Sequence, residues 1–256
     1  MTALIATSLF LLGAIIASFV GVIVVRLHTG QSFLTGRSRC DACGAELKSL
    51  SLLPIVSYVA SGGRSHCCHA RLSYAAPISE FILGSLFVLA YFALGVSATL
   101  FFTLLAFSAL LALVSYDLMH QILPSSLLGV FIAASASSAF FASPRADVLL
   151  MTFLIAFLIA LALAALHVLS RGRAMGFADA PLAFGLALLA GPVALSGFMF
   201  SFWIGAVIGI VLLARRPAGS RMGVEVPFAP FLAAGFLLAY FTQWNPFIFI
   251  ATLLLR

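Results

Sequence analysis

The residues best suited to chemistry are two aspartates placed where an apolar chain disfavours them. Asp117 lies in SYDLMHQILP at the end of one long apolar run, and Asp179 lies in AMGFADAPLAFG at the start of another. The chain holds only 7 acidic residues among 256. An ionisable side chain at a membrane-helix end, facing protein rather than lipid, marks a functional site by default. Two carboxylates that meet behave as a unit, because like charges a few ångströms apart cannot both ionise easily and one keeps a proton. The ionised member draws a proton from a water that attacks a peptide carbonyl, while the protonated member donates to the carbonyl oxygen. This is aspartyl proteolysis carried out inside a membrane. The competing reading is structural: either residue caps a helix end or pairs with an arginine, and Asp179, two residues before Pro181, suits a helix N-terminus.

A second reactive group is built from thiols. Cys40-x-x-Cys43 has the spacing of a metal knuckle, but the later partner reads Ser65-His66-Cys67-Cys68-His69 instead of a second C-x-x-C. Cys40, Cys43, Cys67 and Cys68 form a candidate zinc set, with His66 as an alternative to Cys67. The rival reading is four unligated thiols, and a disulfide is disfavoured in a reducing cytoplasm. No HExxH and no GxSxG occurs, which removes the zinc and serine types of intramembrane protease. Glu80 falls just inside an apolar run, where an unpaired carboxylate is costly. It either binds a ligand amine or pairs with Arg71 or Arg64. His28, His120 and His167 read as ordinary interfacial or buried histidines.

The elements that must position these groups are membrane helices. Hydrophobic residues make up 64% of the chain and charged residues 8%, against about 25% charged in a soluble domain. Apolar runs over about 3–25, 77–94, 98–116, 125–142, 147–169, 180–191, 193–214 and 229–254 predict an all-α, polytopic membrane bundle of about eight transmembrane helices with a Cys-containing cytoplasmic loop. The sixth run is short, and QWNP predicts a kink or split in the last. The start lacks a basic n-region and its apolar run is long, so a cleaved signal peptide is not expected. Segments 26–76, 117–124, 170–179 and 215–228 hold 11 of the 13 Lys and Arg, leaving Arg145 and Arg256 outside them. That asymmetry puts the N-terminus outside, the long loop in the cytoplasm and both aspartates at the cytoplasmic face, with Asp147 opposite. The net charge of +6 therefore reports topology and suits anionic membrane lipid; it is no argument for nucleic acid. The expected organisation is a first transmembrane helix over 1–27, the loop over 28–76 and the main bundle over 77–256.

Six segments, in order, carry a resemblance. ASFVGVIVVRL resembles GSFLNVVIYRLP, and CDACGAELKSLSLLPIVSYVASGGR resembles a cysteine-containing loop with an IPxxSy segment. RLSYAAPISEFILG resembles ISxRYPxxExxxG; DLMHQILPSSL resembles an Asp motif with Pro six or seven residues on. AMGFADAPLAFGLALLAG resembles MGxGDxKLxxxxG, and VPFAPFLAAG resembles iPFGPFL. All six belong to the type IV prepilin peptidase family, the leader peptidase/N-methyltransferases. The resemblance implies a bacterial inner-membrane enzyme that removes the basic leader of prepilins or pseudopilins at the cytoplasmic face. By motif position it makes Asp117 and Asp179 the catalytic pair. It further implies methylation of the new N-terminus from S-adenosylmethionine, tied to the loop region and to Glu80 and Gly84. Aligned on Gly63-Arg64, the family's third cysteine falls on Ser65. Other departures are Ala178 for the second glycine of G-x-G-D, Pro181 for the lysine, Ala229 for a glycine and Gly21 for an asparagine. The alternatives are a peptidase without methyltransferase activity, or a diverged non-catalytic membrane scaffold or transporter.

Overall fold

The computed structural model describes residues 1–29, 40, 42–46, 54–143, 145–173, 175–215 and 227–247. These fall into two compact units, residues 1–96 and 97–256. Among the described residues there is no strand; an isolated antiparallel bridge joins Arg64 to Arg71.

The first unit contains α1 (Thr2–Thr29), a one-turn helix α2 (Val56–Ala60) and α3 (Ala75–Leu94). Long, predominantly apolar sequence makes α1 and α3 helical, and the one proline in α3, Pro77, sits in its first turn where a missing N–H costs little. Gly95, at φ +63°, closes α3 with the left-handed residue that favours glycine. α1 and α3 cross at two glycines. A Cβ on Gly13 would lie 2.8 Å from Gly84 Cα, and one on Gly84 would lie 2.9 Å from the Phe10 ring. Lipid gives helices no hydrophobic drive to associate, so close backbone approach through small residues supplies the attraction.

The second unit contains α4 (Ala98–His120), α5 (Ser125–Ala142), α6 (Ala146–Leu169), α7 (Asp179–Ala190), a 3₁₀ turn at Gly191–Val193, α8 (Ala194–Ala214) and α9 (Ala229–Thr242). The Ser97 hydroxyl accepts from Leu100 N–H at 3.1 Å and starts α4. α4 packs on α5, α6 on α7, and α8 on α9. α7 also touches α5, α8 and α9 and is buried at ten of its twelve positions. A helix that is apolar all round belongs in such an interior. At twelve residues it is about 18 Å long, short of the roughly 30 Å of hydrocarbon a spanning helix crosses.

Each of the eight predicted spans has a helix in the structure. Among the described residues, six stretches are long and apolar enough to cross a membrane, one of them the 34-residue run Asp179–Leu212 that combines α7 and α8. α9 stops at Thr242, before QWNP, with Gln243 in the left-handed region at φ 52°. The remainder of the predicted eighth span, from 248, lies outside the described residues, as do Arg37, Arg39, Lys48, Arg216, Arg221 and Arg256.

Candidate active site

α4 carries Asp117 in its last turn, and Gln121 ends that helix in the left-handed region while its N–H donates to the Asp117 carbonyl at 2.8 Å. α7 begins with Asp179. The two carboxylates, each 7% exposed, line one cavity of about 650 Å³ together with Gln121, Arg173, Gly176, Phe177 and Phe228. That volume is in the range of small-ligand sites.

Their surroundings differ from those of structural carboxylates. Asp179 does not cap α7: its Oδ2 turns back to accept Gly176 N–H at 3.1 Å, and no side chain caps that helix. Asp117 stands at a helix C-terminus, where a carboxylate gives the helix dipole no help, and its Oδ2 is buried with no hydrogen-bond partner among the described residues. The Ala229 amide at the start of α9 is placed to donate to the Asp117 carboxyl. Among the described residues neither aspartate makes an ion pair with arginine; the described ion pair is Arg145–Asp147 at 3.6 Å, on exposed side chains. Ala178 takes φ −68° and ψ −15°, a conformation open to any residue, so the methyl in place of the second glycine introduces no backbone strain. Ala229, the other Gly-to-Ala position, is fully buried at the α9 start.

In the first unit the four sulfurs converge. The Sγ atoms of Cys40, Cys43, Cys67 and Cys68 all lie within 4.8 Å of one another, with Cys43–Cys67 at 3.2 Å, Cys40–Cys68 at 3.8 Å and Cys67–Cys68 at 4.0 Å. Tetrahedral zinc with Zn–S of about 2.3 Å sets its sulfurs about 3.8 Å apart. The donor set therefore fits zinc, and Cys67 rather than His66 completes the group. All four thiols are free. Ser65, 3% exposed and standing where the family has its third cysteine, lies 3.4 Å from Cys40 Sγ and 2.9 Å from Cys67 Sγ. The Ser65 hydroxyl, with the Cys43 and Ala42 amides, holds the Cys40 thiol down to about 6. At Cys43 the Ala45 amide favours the thiolate, but the Cys67 sulfur, burial and the other thiols outweigh it and push Cys43 up to about 12. Thiols this crowded cannot all ionise unless a cation joins them. The purified protein is expected to hold about one zinc per chain by elemental analysis, with Cys67→Ser losing the metal and His66→Ala keeping it. The reverse pattern would overturn the assignment of Cys67.

Glu80, 5% exposed, meets neither Arg64 nor Arg71 in an ion pair; its Oε2 accepts Ile55 N–H at 2.7 Å. Ile55 adopts φ 58° and ψ −50°, and Val56 N–H returns to the Pro54 carbonyl. This is a γ-turn of the strained, positive-φ kind, and a β-branched residue is a poor occupant of it. Glu80 thus holds a strained turn, and Gly84 is filled by the α1–α3 crossing. Glu80→Gln keeps a carbonyl acceptor and is expected to leave the turn intact. Glu80→Ala orphans the Ile55 N–H at about 1–3 kcal/mol, and amide exchange at Ile55 should accelerate in Ala and not in Gln.

Sequence reading passed over Ser65 as a sulfur partner and over His167, which packs on the chain leading to Asp179. Neither carries a spacing signal, since both act through contacts that exist only after folding.

A family model described as the bacterial peptidase A24 N-terminal domain matches residues 11–94. The chain is 30% identical over 237 residues to a prepilin leader peptidase/N-methyltransferase of Bacillus subtilis (strain 168), covering 91% of this chain and 92% of that protein. It is 30% identical over 214 residues to a protein of the same description from Legionella pneumophila, covering 80% and 72%. For the one from Pseudomonas aeruginosa the figures are 27% over 249 residues, 87% and 85%. No solved structure matches.

Proposed function

This chain belongs to the type IV prepilin peptidase family, and from that premise we propose that it is an intramembrane aspartyl endopeptidase. It removes the basic leader of prepilins or pseudopilins at the cytoplasmic face of the bacterial inner membrane, with its own N-terminus outside. The observation that supports this reading best is the pair of buried aspartates on one cavity, one of them with a carboxylate oxygen unpartnered among the described residues.

In this mechanism the two carboxylates share one proton and titrate as a pair. A water between them loses a proton to the ionised member and attacks the scissile carbonyl. The other member gives its proton to the carbonyl oxygen, and collapse of the tetrahedral intermediate expels the amine, which takes a proton from the pair. The Gly176 amide orients Asp179, and the Ala229 amide lies toward Asp117. Placing both carboxylates at helix ends lets the apolar helix of a prepilin stay in lipid while its basic leader lies in water. The family's lysine is absent at Pro181, and among the described cavity residues Arg173 carries the positive charge.

Methylation of the new N-terminus is the second half of the reading, with S-adenosylmethionine as methyl donor. Glu80 and Gly84 are its proposed cofactor-binding positions, Glu80 standing beside the turn at Ile55 and Gly84 at the α1–α3 crossing. Zinc at Cys40, Cys43, Cys67 and Cys68 ties together two loop segments. The test is intact mass of a prepilin after incubation with membranes and S-adenosylmethionine. Leader loss plus one methyl is expected. Leader loss without a methyl would reduce the protein to a peptidase, and no leader loss from folded protein across several prepilins would reject the reading.

A further inference from the structure

We propose that His167 is a positioning residue for Asp179, fixing from the end of α6 the backbone that holds the aspartate's carboxylate; this rests on the peptidase reading above. His167 does not line the cavity. Its Nδ1 lies 2.8 Å from the Met175 carbonyl oxygen. A carbonyl only accepts, so Nδ1 carries the hydrogen whether the ring is neutral or charged. The ring also meets Phe177 edge-on, with centroids 5.6 Å apart and planes at 68°. Between these two fixed points sits Gly176, and its N–H is the group that binds Asp179 Oδ2 at 3.1 Å. Met175, Gly176 and Phe177 all line the cavity. The imidazole therefore grips both neighbours of the one amide that orients the carboxylate.

The turn before this segment is built around the same residue. Gly172 N–H donates to the His167 carbonyl at 2.8 Å, and the Ser170 hydroxyl donates to it at 3.1 Å. Arg171 and Gly172 follow one another in the left-handed region, at φ 53° and 74°. Left-handed backbone is unfavourable for arginine and persists where the surroundings hold it. A Cβ on Gly172 would stand 3.3 Å from the His167 ring, so the chain passes directly over the imidazole. Placement of a reacting group within a fraction of an ångström governs rate more than binding, so a loss here should fall on kcat.

Three variants separate this role from simple packing. Asn places its amide N–H where Nδ1–H stands, Gln places its own nearer Nε2, and Phe keeps a ring without a donor. His167→Asn is expected to retain kcat within about threefold, whereas His167→Gln and His167→Phe lower it by about tenfold or more with KM little changed. A second readout is independent of activity: tryptic cleavage at the exposed Arg171 and Arg173 should be faster in the Gln and Phe variants and unchanged in Asn. Failure of the wild type to process any prepilin would sink the peptidase reading, and the tryptic pattern would still decide the role of His167. Phe and Gln variants as active and as protease-resistant as wild type, or Asn behaving like Phe, would overturn the proposal.

Discussion

Asp117→Asn and Asp179→Asn are each expected to lower prepilin cleavage by at least about 10³-fold, with the double variant no worse than either single one. The size follows from the pairing. A neutral amide cannot take the proton from water, and two neighbours that act as one unit lose the whole function when either is removed. The fold should survive, because Asn nearly matches Asp in shape. At Asp117 the change removes no hydrogen bond from Oδ2, which has none among the described residues; at Asp179 an amide oxygen can still accept the Gly176 N–H. Stability in detergent should therefore stay at the wild-type level while leader loss, read by product mass, disappears. Partial loss of less than about tenfold in each, with the two effects multiplying, would return both residues to structural roles.

The second large effect is expected at Gly235, within α9. A Cβ there would collide with the Ser201 backbone nitrogen and hydroxyl and stand 2.6 Å from its Cα. Ser201 is itself held, its hydroxyl donating to the Gly197 carbonyl at 2.8 Å with the Leu232 carbonyl at 3.2 Å. Two effects oppose one another in Gly235→Ala. Helix propensity favours alanine by about 1 kcal/mol, while overpacking costs about 1–3 kcal/mol even where side chains can shift. Here the obstacle is backbone, so the cost should exceed the gain and α9 must move away from α8. α9 begins at Ala229, the residue whose amide faces Asp117. Gly235→Ala should thus lower both thermal stability in detergent and cleavage. An unchanged melting temperature with full activity would show that the two helices do not meet as described.

Much of this was legible in the amino-acid order, and for an identifiable reason. Lipid forces every spanning segment to be a long apolar helix, so α1 and α3 to α6 follow from hydropathy alone. Asp117 and Asp179 stood out because a carboxylate in such a run needs a purpose. The cysteines could be grouped by count and spacing, but the choice between His66 and Cys67 needed the sulfur positions. Glu80 was recognised as costly to bury, yet its partner is a backbone N–H at Ile55, and backbone donors leave no mark in a sequence. The left-handed turn at Ile55 was hidden further by a β-branched residue that argues against it. His167 looked ordinary because its acceptor is a carbonyl eight residues away that only the turn at Arg171 and Gly172 brings within reach.

The burial of α7 has a consequence for biosynthesis. A twelve-residue helix with little surface left for lipid gains little by entering the bilayer alone, and its first residue is a carboxylate. It settles only when α5, α6, α8 and α9 surround it. α9 is made after all of these and brings the amide that faces Asp117. Under the proposed mechanism, a nascent chain that has not yet delivered α9 carries both aspartates without their finished setting, so cleavage is expected only once the bundle has closed.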